Sequence, residues 1–124
     1  YNRQFITRKT ANSDLLLKFE KLLQNYFEEK NLSTNGIPSV QYFSAELNMS
    51  ANYLSDMLRS LTGQSTQQHI QDKLIEKAKQ ILTSTNMTVS EIAYELGFEY
   101  PQSFSKLFKN KTNITPLEFR QSFN

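Results

Sequence analysis

A chain of 124 residues, 38% apolar and 12% aromatic, is long enough to bury the core of one domain. Its net charge of +2, from 14 basic and 12 acidic residues, is too small for composition alone to point to a polyanion partner. There is no cysteine, so no disulfide or thiolate metal site, and with no long apolar run or leader-like start neither a membrane span nor a signal peptide is expected.

Residues 1–12 are polar with three basic side chains and begin at Tyr1 rather than Met. They read as a tail or linker from an upstream domain, the domain proper covering 13–124. A first helix is expected from about Ser13 or Asp14 to Lys30, because Leu15, Leu16, Phe19, Leu22, Leu23, Tyr26 and Phe27 recur at helical spacing. Asn31 to Pro38, with Thr34-Asn35-Gly36 and a proline, reads as a loop.

Then the chain says nearly the same thing twice. Phe43-Ser-Ala-Glu-Leu-Asn-Met49 followed by Leu54-Ser-Asp-Met-Leu-Arg-Ser-Leu-Thr-Gly63 is matched by Ile92-Ala-Tyr-Glu-Leu-Gly-Phe98 followed by Phe104-Ser-Lys-Leu-Phe-Lys-Asn-Lys-Thr-Asn113. The offset is 49 residues before the internal break and 50 after it, so the second turn carries one extra residue. Each copy predicts a short amphipathic helix, a tight turn and a longer helix with a polar outer face, which is the helix-turn-helix pattern. The copies span about 40–63 and 88–113, and a connecting helix is expected over about 65–84. Capping-box spacing recurs at Ser65/Gln68, Thr88/Glu91 and Thr115/Glu118, the last with Pro116 at the first helical position. With no strand pattern, the expectation is an all-α chain of seven helices: two helix-turn-helix subdomains, homeodomain-like three-helix units, joined by a long helix.

The two longer helices, about 50–62 and 100–112, divide by wheel arithmetic. Leu54, Met57, Leu58 and Leu61 form one side of the first, leaving Asn52, Asp56 and Arg59 opposite and Ser55 at the edge. Phe104, Leu107 and Phe108 form the same side of the second, leaving Gln102, Lys106 and Lys109, with Ser105 at the edge. Asn and Gln suit adenine edges, Lys suits guanine acceptors and Ser suits either, whereas Arg59 and Lys109 lie better for phosphates. A single polar helix face is most often only solvated, but the same face recurring behind two such patterns favours a working surface. Gly97 stands where the bend needs a left-handed residue, Asn48 is the best non-glycine substitute there, and Gly63 is the expected left-handed cap of the first long helix. A connecting helix of about nineteen residues would span roughly 28 Å, near the ~34 Å between adjacent major-groove segments.

Catalytic and metal chemistry find no support. His69, the single histidine, has no convincing ligand spacing around it, and Glu28-Glu29 and Glu91/Glu95/Glu99 read as solvated faces. No phosphate loop, nucleophile elbow or triad is present, so no enzyme activity and no cofactor are expected. The competing reading is a helical protein-interaction domain of two repeats that does not bind DNA, although solenoids generally need three or more. A variant in which only the second motif grips DNA also stays open, since the first carries an acid on its outer face.

Together these residues resemble the DNA-binding domain of the AraC/XylS family of bacterial transcription regulators. The resemblance rests on Ser90-Glu-Ile-Ala93, Leu96-Gly-Phe98, Phe104-Ser105, Phe108-Lys109 and Thr115-Pro116-Leu-Glu-Phe-Arg120. It is supported by Asn52-Tyr-Leu-Ser55, Leu61-Thr-Gly63, Ile70 and Ala78-Lys-Gln-Ile-Leu82, and covers about Leu22 to Phe123. It implies helices three and six in consecutive major grooves of promoter DNA, recruitment of RNA polymerase as an activator, and a cytoplasmic, nucleoid-associated bacterial protein without membrane contact. Carried over by position, the base-reading candidates are Asn52, Ser55, Asp56, Gln102, Ser105 and Lys106. It also implies an effector, dimerisation or sensor domain upstream. Two departures stand out: Asn113 replaces a glycine common in the family, and Asp56 is unexpected on a phosphate-facing surface. Asp56 could accept from cytosine or, slightly favoured, hold Arg59 three residues on.

Overall fold

The structure, a computed structural model, describes residues 2–123, with side chains from Asn12 onward. Eight helices follow one another: α1 (Asn2–Glu29), α2 (Leu32–Asn35), α3 (Val40–Glu46), α4 (Ala51–Thr62), α5 (Thr66–Ser84), α6 (Val89–Glu95), α7 (Pro101–Thr112) and α8 (Pro116–Gln121). Two expectations need correction. The first helix starts at Asn2 rather than Ser13 or Asp14, because no glycine or proline interrupts residues 2–28 and Ser13 does not stop the helical run. The expected loop holds a single-turn helix, α2, which makes eight helices among the described residues instead of seven. Asn31 caps it, its side chain accepting from the Ser33 N–H at 3.0 Å, and Gly36 closes it at φ 83°.

The chain divides into two compact units, residues up to 30 with 38–69, and residues 31–37 with those from 70 onward. The first unit packs α1 against α3 and α4. Phe19, Leu23, Tyr26 and Phe27 of α1 are buried, as are Phe43 of α3 and Leu54, Met57 and Leu58 of α4. Its rings meet edge to face, Phe19 with Phe43 at 5.3 Å and Tyr26 with Tyr42 at 5.2 Å between centroids. Each such side chain contributes about 1.5–3 kcal/mol through burial.

The second unit packs α6 against α7, α7 against α8 and α2 against α6. Ile92, Ala93 and Leu96 of α6, Phe104 and Phe108 of α7 and Pro116 of α8 lose all solvent contact. Ile70, Leu74, Ile75, Ala78 and Leu82 form the buried stripe of α5. A file of rings runs through this unit: Phe98–Phe104 at 5.5 Å, Phe104–Phe108 at 5.9 Å and Phe108–Phe119 at 5.6 Å.

Gly97 bears two loads at once. Its φ is 93°, and a Cβ there would lie 2.8 Å from the Leu32 carbonyl oxygen, the backbone of α2. Gly63, at φ 81°, has open space around the same position. Gly63→Ala should therefore cost only the left-handed strain, about 1–2 kcal/mol. Gly97→Ala should cost clearly more, since backbone must also move, and urea unfolding of both variants measures the difference.

Candidate nucleic-acid interface

The two repeats are alike down to individual backbone bonds. In the first, the Asn48 N–H donates to Ala45 O (3.2 Å) and the Met49 N–H to Ser44 O (3.0 Å). In the second, the Gly97 N–H donates to Tyr94 O (3.0 Å) and the Phe98 N–H to Ala93 O (3.0 Å). This is the Schellman pattern, and it needs a left-handed residue at its centre. Asn48 supplies φ 57° and Gly97 φ 93°. The far ends match too: Gly63 and Asn113 are left-handed caps at φ 81° and 70°, each donating its N–H 2.8 Å to the carbonyl four residues back. Beside them, the Thr62 hydroxyl donates to Leu58 O (2.7 Å) and the Thr112 hydroxyl to Phe108 O (2.8 Å).

The starts of the long helices differ. Ser50 caps α4, its Oγ accepting from the Tyr53 N–H at 3.0 Å. Tyr100 makes no side-chain cap on α7, where Pro101 occupies the first position and has no N–H to satisfy.

Burial fixes the faces that remain. Leu54, Leu58, Phe104 and Phe108 are fully buried, and Met57 nearly so. Leu61 departs from the wheel reading, being 39% exposed at the last turn of α4, and Leu107 is half-buried. Asn52, Asp56 and Arg59 on α4 and Gln102, Lys106 and Lys109 on α7 are exposed, with Ser55 and Ser105 half-buried at the edges. Asp56 and Arg59 pair at 3.2 Å. With the side chains 77% and 57% exposed, that pair is worth at most about 1 kcal/mol in stability. Its larger effect is on local charge: α4 presents a neutralised pair, whereas no acidic residue lies between Pro101 and Thr112. Lys111 of α7 turns to Asp72 of α5 at 3.1 Å and is half-buried.

Three further side chains tie separate segments together within the units. His69 is half-buried, its Nε2 2.9 Å from Thr62 Oγ1 and its ring edge-on to Phe19 at 5.5 Å. Among the described residues no three His, Cys, Asp or Glu side chains lie close enough to hold a metal ion, and no helix is long and apolar enough to cross a membrane. Thr66, the first residue of α5, is fully buried, its hydroxyl 3.0 Å from that of Ser55. Arg120 of α8 reaches back to the end of α5 and the segment after it. Its Nε donates to Leu82 O (2.9 Å), Nη1 to Met87 O (2.6 Å) and Nη2 to Thr85 O (3.3 Å). The guanidinium thus satisfies one carbonyl that the end of α5 leaves open and two of the segment after it. The wheel reading missed this bond set, because its partners lie more than thirty residues away.

Comparison with known proteins gives consistent matches. The profile of a helix-turn-helix domain family matches residues 43–122. The chain is 31% identical over 119 residues to histidine kinase P4 of Formosa agariphila, covering 96% of this chain and 8% of the kinase. The solved C-terminal domain of the two-component response regulator yesN from Fusobacterium nucleatum is 34% identical, with a TM-score of 0.69, over 82% of this chain and 96% of that one. A transcriptional regulator of Chromobacterium violaceum, described as having an AraC-type DNA-binding domain, shares the fold at a TM-score of 0.75 and 21% identity, over 92% and 96% of the two chains. The chain spans between 8% and 54% of the length of the curated relatives it matches.

Two tests follow from the clamps. Arg120→Lys keeps the charge but loses the planar fork, and should destabilise the chain by on the order of 2 kcal/mol in urea unfolding. The capping-box carboxyls titrate below their ordinary range. Glu91 is held down by the Thr88 backbone N–H and then by the Thr88 side chain, and Glu118 likewise by Thr115, with a smaller contribution from Lys109. A depressed folded pKa stabilises above the ordinary glutamate value, and that stabilisation is lost as pH falls through the folded value. Glu91→Ala and Glu118→Ala should thus melt below the parent protein at neutral pH and converge with it below roughly pH 4.

Proposed function

The chain belongs to the AraC-type helix-turn-helix family of transcription regulators, and on that premise we propose that α4 and α7 are its two reading helices, entering successive major grooves of a promoter. Sequence-specific binding of double-stranded DNA for transcription regulation is the work of this domain family, and the domain itself is not an enzyme, whatever longer protein carries it. The observation that carries the assignment to α4 and α7 is the recurrence of one outward polar set, at equivalent positions, behind two turns with the same backbone bonds.

Asn52 and Gln102 are the amide readers, suited to the paired donor and acceptor of adenine. Lys106 reaches guanine acceptors and Ser105 contacts either kind of edge. Lys109 and Arg59, a turn further along, anchor phosphates and set orientation. Asp56 keeps Arg59 in place and discourages phosphates that approach α4 out of register. The nineteen residues of α5 join the two motifs along the chain. RNA polymerase is the proposed downstream partner, with the protein acting as an activator in the bacterial cytoplasm, at the nucleoid. Residues 1–12 are proposed to connect to a domain that senses a signal, binds an effector or dimerises. The kinship in sequence with parts of a histidine kinase and of a response regulator supports the sensor form.

Selection of duplexes from a random pool should return a motif covering two groove segments. On that duplex Lys106→Ala should lose about 1–3 kcal/mol, with relaxed discrimination at one base pair. Equal loss on selected and random DNA would make Lys106 a phosphate contact instead. The parent protein should lose affinity for random duplex steeply with salt, with a log–log slope of several units. Asp56→Ala should tighten binding to every duplex if the acid only repels phosphates, and shift base preference under the first motif if it reads cytosine.

A further inference from the structure

The two repeats carry a serine at the same place, Ser55 on α4 and Ser105 on α7, and the structure treats them differently. Both are half-buried at the border between the apolar stripe and the outward face. Ser55 Oγ lies 3.0 Å from Thr66 Oγ1. Thr66 is fully buried, and among the described residues every buried side-chain nitrogen and oxygen has a hydrogen-bond partner.

The repeat offset of 50 continues past the long helices. Ser65 caps α5, its Oγ accepting from the Gln68 N–H at 3.3 Å, and Thr115 caps α8 in the same way through Glu118 at 3.1 Å. Thr66 therefore corresponds to Pro116, which is also fully buried and has no hydroxyl. Proline suits the first position of a helix, so starting α5 does not itself require a threonine hydroxyl there. The buried stripes differ as well. α7 is set by the rings of Phe104 and Phe108, packed in a file with Phe98 and Phe119, and ring packing is directional. α4 is set by Leu54, Met57 and Leu58, whose packing is not.

We infer that Thr66 is a positioning residue for DNA reading: through Ser55 it fixes the rotation of α4 about its own axis, and Ser55 sets the aim of Asn52 instead of reading a base. Ser105, whose counterpart partner is a proline, is the serine that contacts DNA. This deepens the assignment of α4 as a reading helix and rests on it. A hydrogen bond has a preferred direction, and Ser55 sits three residues from Asn52 and next to Asp56. A rotation of α4 that breaks it would swing both outward side chains off their targets.

The experiment uses the 124-residue chain, the duplex it selects from a random pool and a random duplex of equal length. Thr66→Val keeps the volume and removes the hydroxyl, with Thr66→Ala in its place if valine is not accommodated, and Thr66→Ser keeps the hydroxyl. Thr66→Val should weaken binding to the selected duplex by about threefold to tenfold, the worth of one hydrogen bond, while binding to random duplex stays within about twofold of the parent. Thr66→Ser should restore most of the loss, and combining Thr66→Val with Ser55→Ala should cost no more than either alone. Parent-like binding by Thr66→Val with loss by Ser55→Ala would overturn the inference, because Ser55 would then read a base itself. Equal weakening on both duplexes would overturn it too, leaving Thr66 a stability residue only. If the parent protein selects no duplex, the DNA assignment itself fails, and this inference with it.

Discussion

The long helices α4 and α7 each have one apolar stripe with nowhere to go but inward, and that constraint decides which face each of them leaves outward. Leu54 and Leu58 on α4 and Phe104 and Phe108 on α7 are fully buried. Once such a stripe is committed, the opposite face has no freedom left, and Asn52 with Arg59 or Gln102 with Lys109 must point outward. The left-handed residues before each helix set the direction from which it arrives. A turn with a Cβ in the wrong place would misdirect the helix even with its stripe intact, which is why Gly97 sits against the backbone of α2 with no room to spare.

The two motifs share this scaffold and diverge in what they build on it. The second uses aromatic packing to orient α7 and leaves Lys106 and Lys109 on a helix without an acid. The first uses smaller aliphatic side chains, a hydroxyl pair between Ser55 and Thr66, and a salt bridge that neutralises Arg59. In the proposed reading this is a division of labour. Phosphate attraction, which sets most non-specific affinity, falls mainly to α7, and α4 adds discrimination at little gain in charge. In that reading a net charge of only +2 is offset locally on α7, where Lys106 and Lys109 are exposed and no acid lies between Pro101 and Thr112.

Much of this was legible in the sequence because it is local. Cap boxes, left-handed turn residues and the apolar period each depend on residues within four positions of one another, and Thr88/Glu91, Thr115/Glu118 and Asn48 could be read directly. Ser65 marked the start of α5 to within one residue, since Thr66 is its first. What could not be read depends on distance in the chain or on the absence of a stop. The segment before Ser13 has polar composition but no breaker, so α1 continues through it. α2 is a single turn whose Asn31 and Gly36 caps sit among loop-forming residues, where composition outweighs two cap signals. Leu61 fits the wheel but lies in the last turn of α4, and it stays exposed. Arg120 and Thr66 gain their meaning from partners on other elements, which periodicity cannot supply.

The account depends on α4 and α7 working together on one duplex, and hydroxyl-radical footprinting of the chain on its selected DNA tests that most directly. Two protected segments about ten base pairs apart are predicted, with Asn52→Ala fading one and Gln102→Ala the other. A single protected segment, faded only by Gln102→Ala and indifferent to Asn52→Ala, would contradict it.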